Sequence, residues 1–143
     1  MVNKKFRLGI IVITLVFGLS LTGCDFMLPG DTYTLEFKVQ NAGGMPTISK
    51  IEFINGSNES DPIIETKEVN LSNGQISNAY KVSGFTKQAK EWKEENQIHY
   101  FGVRVSYDSG GSDFRSSTAK DKSKILVSLQ GPFFLFTFSE GKW

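Results

Sequence analysis

The chain has 143 residues, enough for one domain and too few for two, since domains usually occupy roughly 100 to 200 residues. With 39% hydrophobic and 22% charged residues, its composition is that of a folded protein and argues against disorder. A formal charge of +1 leaves no basic footprint, which excludes nucleic acid as a partner.

The first 24 residues form three parts: a basic start (Lys4, Lys5, Arg7), an apolar run from Leu8 to Leu21, and the tetrapeptide Leu21-Thr22-Gly23-Cys24. As a helix rising about 1.5 Å per residue, the apolar run spans roughly 21 Å, short of the ~30 Å hydrocarbon core. It therefore predicts an export signal and not a permanent membrane helix. Leu-Thr-Gly-Cys resembles the lipobox of bacterial lipoproteins, a resemblance confined to residues 1–24. It implies diacylglyceryl on the Cys24 sulfur and cleavage just before that residue. Leu21 is then the apolar recognition residue, Thr22 follows it, and Gly23 is the small residue preceding the cut. Acyl chains, at about 0.8 kcal/mol per buried CH₂, hold the product at the cell membrane or outer membrane on the extracytoplasmic side. Removal of the leader takes Lys4, Lys5 and Arg7 with it and no acidic residue, so the charge falls from +1 to −2. Cys24 is the only cysteine, which excludes an internal disulfide.

Residues 25–31 read as a tether broken by Pro29-Gly30, reaching at most about 25 Å when extended. From Tyr33 the apolar period is two (Tyr33, Leu35, Phe37, Val39), a half-buried strand, and residues 41–46 read as a loop. Strands are expected over 48–54, 63–71 and 76–82. The last two flank Asn73-Gly74, a pair suited to a type I′ hairpin turn. Residues 85–96 favour a short helix, with Phe85, Ala89 and Trp92 on one face. Further strands are expected over 98–107, 114–118, 124–130 and 133–139. The domains are thus a signal peptide (1–23), a lipidated N-terminus and tether (24–31), and one all-β domain (32–143). Seven or eight short strands with frequent turns predict an antiparallel β-sandwich, immunoglobulin-like or transthyretin-like, with one short helix near 86–95 and a small barrel as the alternative.

Few residues suggest chemistry. His99 is the sole histidine, which excludes a His-pair metal site, and no G-x-S-x-G context supports a triad around it. Asp108 and Asp113 bracket a Ser-Gly-Gly-Ser loop that offers oxygens to a cation such as Ca²⁺, although Asp beside Gly-Gly is also what a hairpin turn requires. Glu59 and Asp61 near Asn58 raise the same question. Gly44 lacks the Gly-Lys-Ser/Thr of a phosphate loop. Phe133, Phe134, Phe136 and Phe138 read as a core strand covered on both faces, or else as an exposed apolar patch for a partner. Trp92 and Trp143 are candidate sugar platforms, with packing the plainer reading. Asn55, Asn58 and Asn70 match the glycosylation sequon by letters only.

The resulting expectation is a non-catalytic binding or structural module of the cell envelope. It has no cofactor beyond the lipid on Cys24, and a protein or glycan partner engages its loops or a sheet edge. A small-molecule or Ca²⁺ carrier and an envelope hydrolase are the alternatives, the hydrolase requiring a concave pocket with two or more carboxylates of shifted pKa.

Overall fold

In the computed structural model, residues 32–86 and 99–143 are described. The leader with Leu21, Thr22, Gly23 and Cys24, the tether 24–31, and the part of the expected helix that holds Ala89 and Trp92 lie outside them.

Eight strands follow in order: β1 (Thr32–Gly43), β2 (Ile48–Ile54), β3 (Ile63–Leu71), β4 (Tyr80–Thr86), β5 (His99–Tyr107), β6 (Ser112–Ala119), β7 (Lys124–Gln130) and β8 (Leu135–Glu140). They build two four-stranded sheets, ordered β4-β1-β7-β8 and β3-β2-β5-β6, and neither closes into a barrel. All pairings are antiparallel except β1 with β7. The immunoglobulin order places the first strand beside the second. Here β1 and β2 lie in different sheets, which leaves the transthyretin-like arrangement of the two expected.

The period-two pattern of β1 is the origin of the core. Tyr33, Leu35, Phe37 and Val39 are all buried, as alternation on one face of a sheet requires. Facing them from the second sheet are Ile51, Phe53, Phe101, Val103 and Val105. Phe37 sits at the centre, 4.6 Å from Phe53 and 5.4 Å from Phe101 between ring centroids. Each such ring or aliphatic side chain contributes about 1.5–3 kcal/mol by leaving water.

Four expectations need correction. Residues 41–43 continue β1 instead of opening a loop, so Asn41 falls on the inward parity of Tyr33 to Val39 and is buried. Asn73-Gly74 does turn the chain, with Gln75 N–H donating to Ser72 O at 3.0 Å, but it joins no hairpin. Its flanks β3 and β4 belong to opposite sheets, and only Gly74 has positive φ (+81°), the φ pattern of a type II turn and not of type I′. Phe85 and Thr86 belong to β4, which begins at Tyr80, where they pair with Tyr33 and Thr32. Among the described residues there is no helix. Finally, the Phe-rich segment is no covered central strand: β8 is the edge of its sheet and begins at Leu135, with Phe133 and Phe134 in the preceding turn.

Because odd strands run one way and even strands the other, every odd-to-even connection meets at the end of the sandwich where β1 finishes. These are residues 44–47, 72–79, 108–111 and 131–134. Thr32 lies at the other end, together with residues 55–62 and 120–123. At about 3.3 Å per residue, the 12 residues of β1 separate the two ends by roughly 36 Å.

Candidate functional site

The four loops at the Gly43 end are bonded into one platform, with residues 44–47 in the middle. The organiser is Asn41, fully buried at the end of β1. Its Nδ2 donates to Pro46 O at 3.0 Å and to Leu71 O at 3.1 Å, which ties the loop after β1 to the one after β3. Its backbone receives Gly74 N–H and donates to Gln75 O, at 2.7 and 2.9 Å. Gly44 N–H donates to Asn73 Oδ1 at 2.8 Å, a second link between the same loops. The 108–111 turn joins through Asp108 N–H to Thr47 O at 3.0 Å.

The β7–β8 turn joins by backbone contact. Gly131 N–H donates to Gly43 O at 2.8 Å, and the two chains approach so closely that a Cβ on Gly44 would lie 2.9 Å from Gly131 C. A Cβ on Gly131 would overlap Gly44 O. Gly44 is therefore present for close approach, not for phosphate. Beyond this contact Phe134 adopts φ +35° and turns its ring inward, 6.3 Å from Phe136. Its neighbour Phe133 points outward and is 95% exposed. Leu135 (55%) and Ile76 (50%) are also exposed, and Met45 is half-buried against the core.

Charge separates the two ends. Asp108 is the only charged residue in the four loops of the platform, which otherwise hold Gly, Ser, Asn, Gln, Thr, Pro, Ala and the apolar side chains. The loops at the Thr32 end carry Glu59, Asp61, Lys120, Asp121 and Lys122. Phe133 is the one exposed aromatic ring of these four loops.

The candidates for chemistry fall elsewhere and apart. His99 is buried at the start of β5, stacked on Tyr33 with centroids 4.1 Å apart, while Tyr33 OH donates to Tyr100 O at 2.6 Å. Burial pushes the Tyr33 phenol up, so it is a neutral donor. Asp113 accepts a hydrogen bond from Tyr107 OH at 2.7 Å, whereas Asp108 is exposed in the turn. Burial, then the Asp113 contact, raises the Tyr107 phenol. Among the described residues no group of three or more His, Cys, Asp and Glu is placed to hold a metal. Asp61 accepts from Asn58 N–H at 2.9 Å and shapes its own turn. Asn58 and Asn70 are exposed; Asn55 instead brackets Thr86, donating from Nδ2 to its Oγ1 and accepting from its N–H, both at 2.9 Å.

Two hollows are lined by described residues. One, of about 200 Å³, lies in the seam between edge strands β6 and β8, floored by Phe101, Ile125 and Phe138 and carrying the single carboxylate of Glu140. The other, of about 380 Å³, holds the carboxylates of Glu36 and Asp121. Both are engaged: Asp121 Oδ1 accepts from Thr34 N–H at 2.9 Å, and Glu36 Oε1 from Trp143 Nε1–H at 2.8 Å. The Trp143 ring also takes the Lys38 ammonium 5.1 Å from its centroid and packs against Gly141, as a packing residue does.

A tightly held carboxylate lies on the outer face of the second sheet. Glu52 is buried there, receiving Arg104 Nε–H at 2.6 Å, with Lys50 at 3.3 Å, while Arg104 also reaches Glu59 at 3.6 Å. The bond from Arg104, above all, holds Glu52 below the usual carboxylate range and Arg104 above its own. That direction is opposite to what a general acid at neutral pH needs.

Sequence reasoning named Gly44 and Phe133 but missed Asn41, Gly131 and the Glu52–Arg104 pair. Asn41 had a signal, since it continues the inward parity of β1; the pairing of Glu52 with Arg104 depends on register and had none. No protein family, curated protein or solved structure matches this chain.

Proposed function

We propose that the protein is a lipid-anchored, extracytoplasmic module of a bacterial envelope, without catalytic activity, whose Gly43-end platform engages a partner. The observation that carries the reading is the polarity of the domain. The segment that would bear the lipid enters at Thr32, and the loops with exposed Phe133 and Asp108 as their one charged residue gather at the opposite end, roughly 36 Å away. A domain joined to its anchor at one end and presenting hydrogen-bonded loops of low charge at the other has the layout of a tethered binder.

The hydrolase alternative has little to draw on. The carboxylates of the larger hollow accept internal hydrogen bonds, and Glu52 shifts in the wrong direction for proton donation. A Ca²⁺ site between Asp108 and Asp113 competes with the bond Asp113 already accepts from Tyr107.

Anchoring is tested by feeding cells a labelled fatty acid. The wild-type chain is expected to take up label and to lose its leader, whereas Cys24→Ser stays an unlabelled precursor. Equal labelling of the two removes the lipid site from the account.

A further inference from the structure

We infer that a second copy of this chain pairs with the free edge of β6, antiparallel and about a twofold axis through Phe114, so that Asp113 of each copy meets Arg115 of the other. The pairing uses another surface than the platform and rests neither on the lipid nor on the tethered-binder reading.

The edge is suited to it. Among the described residues β6 has β5 on one side and no strand on the other. Its eight pairs with β5 run without a register shift, and it contains no Gly, Pro or Lys to blunt the edge. The other edges are less open. β4 is bulged against β1, with Gly84 at φ +105°, and β3 is shifted twice against β2. β8 is regular but carries one acid, Glu140, and no base. Phe114, the bulkiest side chain of β6, folds back across Gly102, where a Cβ would lie 2.5 Å from its ring, and so leaves the edge clear.

Backbone parity then restricts the register. Tyr107 N–H donates to Gly111 O at 3.1 Å, so the bonded pairs of this hairpin are those two residues and every second pair beyond them. Asp113, Arg115 and Ser117 therefore point their N–H and C=O groups at β5, opposite Val105, Val103 and Phe101. Ser112, Phe114, Ser116 and Thr118 point theirs outward. Self-pairing centred on Phe114 matches these outward groups: Phe114 meets Phe114 and Ser112 meets Ser116, which gives about six ladder bonds. It also sets Asp113 opposite Arg115 twice, in the non-bonded pairs where side chains come closest. Centring on Asp113 or on Arg115 instead sets like charges against each other. Centring on Ser116 leaves both charges without a partner, and centring on Ser112 runs the ladder into the 108–111 turn.

Both charged groups can take part. Arg115 is exposed and has no ion pair among the described residues. Asp113 accepts from Tyr107 OH at Oδ2, and a carboxylate has room for further donors. The contact is the same patch on both copies, so it closes at two. The axis reverses one copy against the other, and chains standing on a bilayer by Thr32 therefore pair from facing surfaces.

The test is sedimentation equilibrium of the full chain in detergent, from about 1 to about 500 µM, since an edge contact of this size belongs to the weak class. The wild type should show a monomer–dimer equilibrium. Asp113→Arg and Arg115→Asp, each alone, set like charges opposite each other and should weaken it at least about tenfold. Their equimolar mixture regains both opposite-charge contacts in a heterodimer and should return to within about threefold of wild type, which also shows that both variants fold. A genetically encoded nitroxide at position 118 reads the register. The two labels lie roughly 26 Å apart when Phe114 is the centre and roughly 13 Å apart when Ser116 is. A chain still monomeric at about 500 µM, a dimer indifferent to both charge reversals, or a mixture that does not recover would each overturn the inference. So would a label separation near 13 Å, or association beyond two copies.

Discussion

Replacing Asn41 by Ala removes the side chain that ties two loops to the end of β1, and the loss is calculable. Two carbonyls lose their donor. Pro46 is exposed, so its oxygen can turn to water, but Leu71 is 92% buried and its oxygen keeps most of the desolvation penalty, about 1–3 kcal/mol. The hydrogen bond to Pro46 adds about 1 kcal/mol. Against this, Asn41 Oδ1 has no donor among the described residues, and its removal returns part of the penalty. The net expectation is roughly 2–3 kcal/mol, a large fraction of the 5–15 kcal/mol typical of a domain. Urea unfolding with an unchanged m-value measures it, and amide exchange should quicken at Gly44, whose acceptor Asn73 is no longer held in place. Asn41→Asp sharpens the test. The ionised carboxylate faces two carbonyls and must be worse than Ala at neutral pH, whereas the protonated acid can donate once. Its pKa in the folded state is thus raised, and stability recovers as pH falls toward the unfolded value near 4. A stability change below about 0.5 kcal/mol in Asn41→Ala, or no recovery in acid for Asn41→Asp, would refute the role of this amide as the tie between the loops.

Gly131→Ala should cost about 2–4 kcal/mol through the clash with Gly44 and loss of the bond to Gly43. Gly110→Ala, at φ +92° with open space around it, should cost only the ~1–2 kcal/mol of a left-handed backbone; equal values in chemical denaturation would show that the contact is not tight. Arg104→Met leaves the Glu52 carboxylate buried beside Lys50 alone and should cost about 2–4 kcal/mol at pH 7. Glu52 is held below its unfolded pKa, so the contribution is complete above about pH 4.5 and fades as pH falls through the folded value; wild-type and variant stabilities must converge in acid. Phe133→Ser, by contrast, should leave the melting temperature within about 2 °C, because the ring buries almost nothing in the free protein.

The strands whose ends coincide with clear breaks were legible residue by residue: β2 ends at Asn55-Gly56, β7 at Gly131-Pro132, and β3 one residue before Asn73-Gly74. Phe85 was not, since the Lys- and Glu-rich residues after it favour helix while its pairing with Tyr33 is non-local. Asn73-Gly74 declared a turn but not a sheet. Whether the chain returns along β3 or crosses to β1 is decided by Asn41, Gly74 and Gln75 together. The Phe-rich segment announced apolar surface but not its division, in which Phe134 and Phe136 turn to the core and Phe133 to solvent. The platform shows the general pattern: its composition is written locally, its assembly from four distant loops is not.

The account stands on a domain joined to its proposed anchor at Thr32, the end of the sandwich opposite Phe133. If Cys24 is acylated, Phe133→Cys and Lys120→Cys each supply a single free thiol for a dye in the full chain reconstituted into vesicles that contain an acceptor lipid. Energy transfer should be strong from position 120 and weak from position 133. Transfer from 133 equal to or greater than that from 120 would contradict the proposed orientation and, with it, the assignment of the platform to a partner.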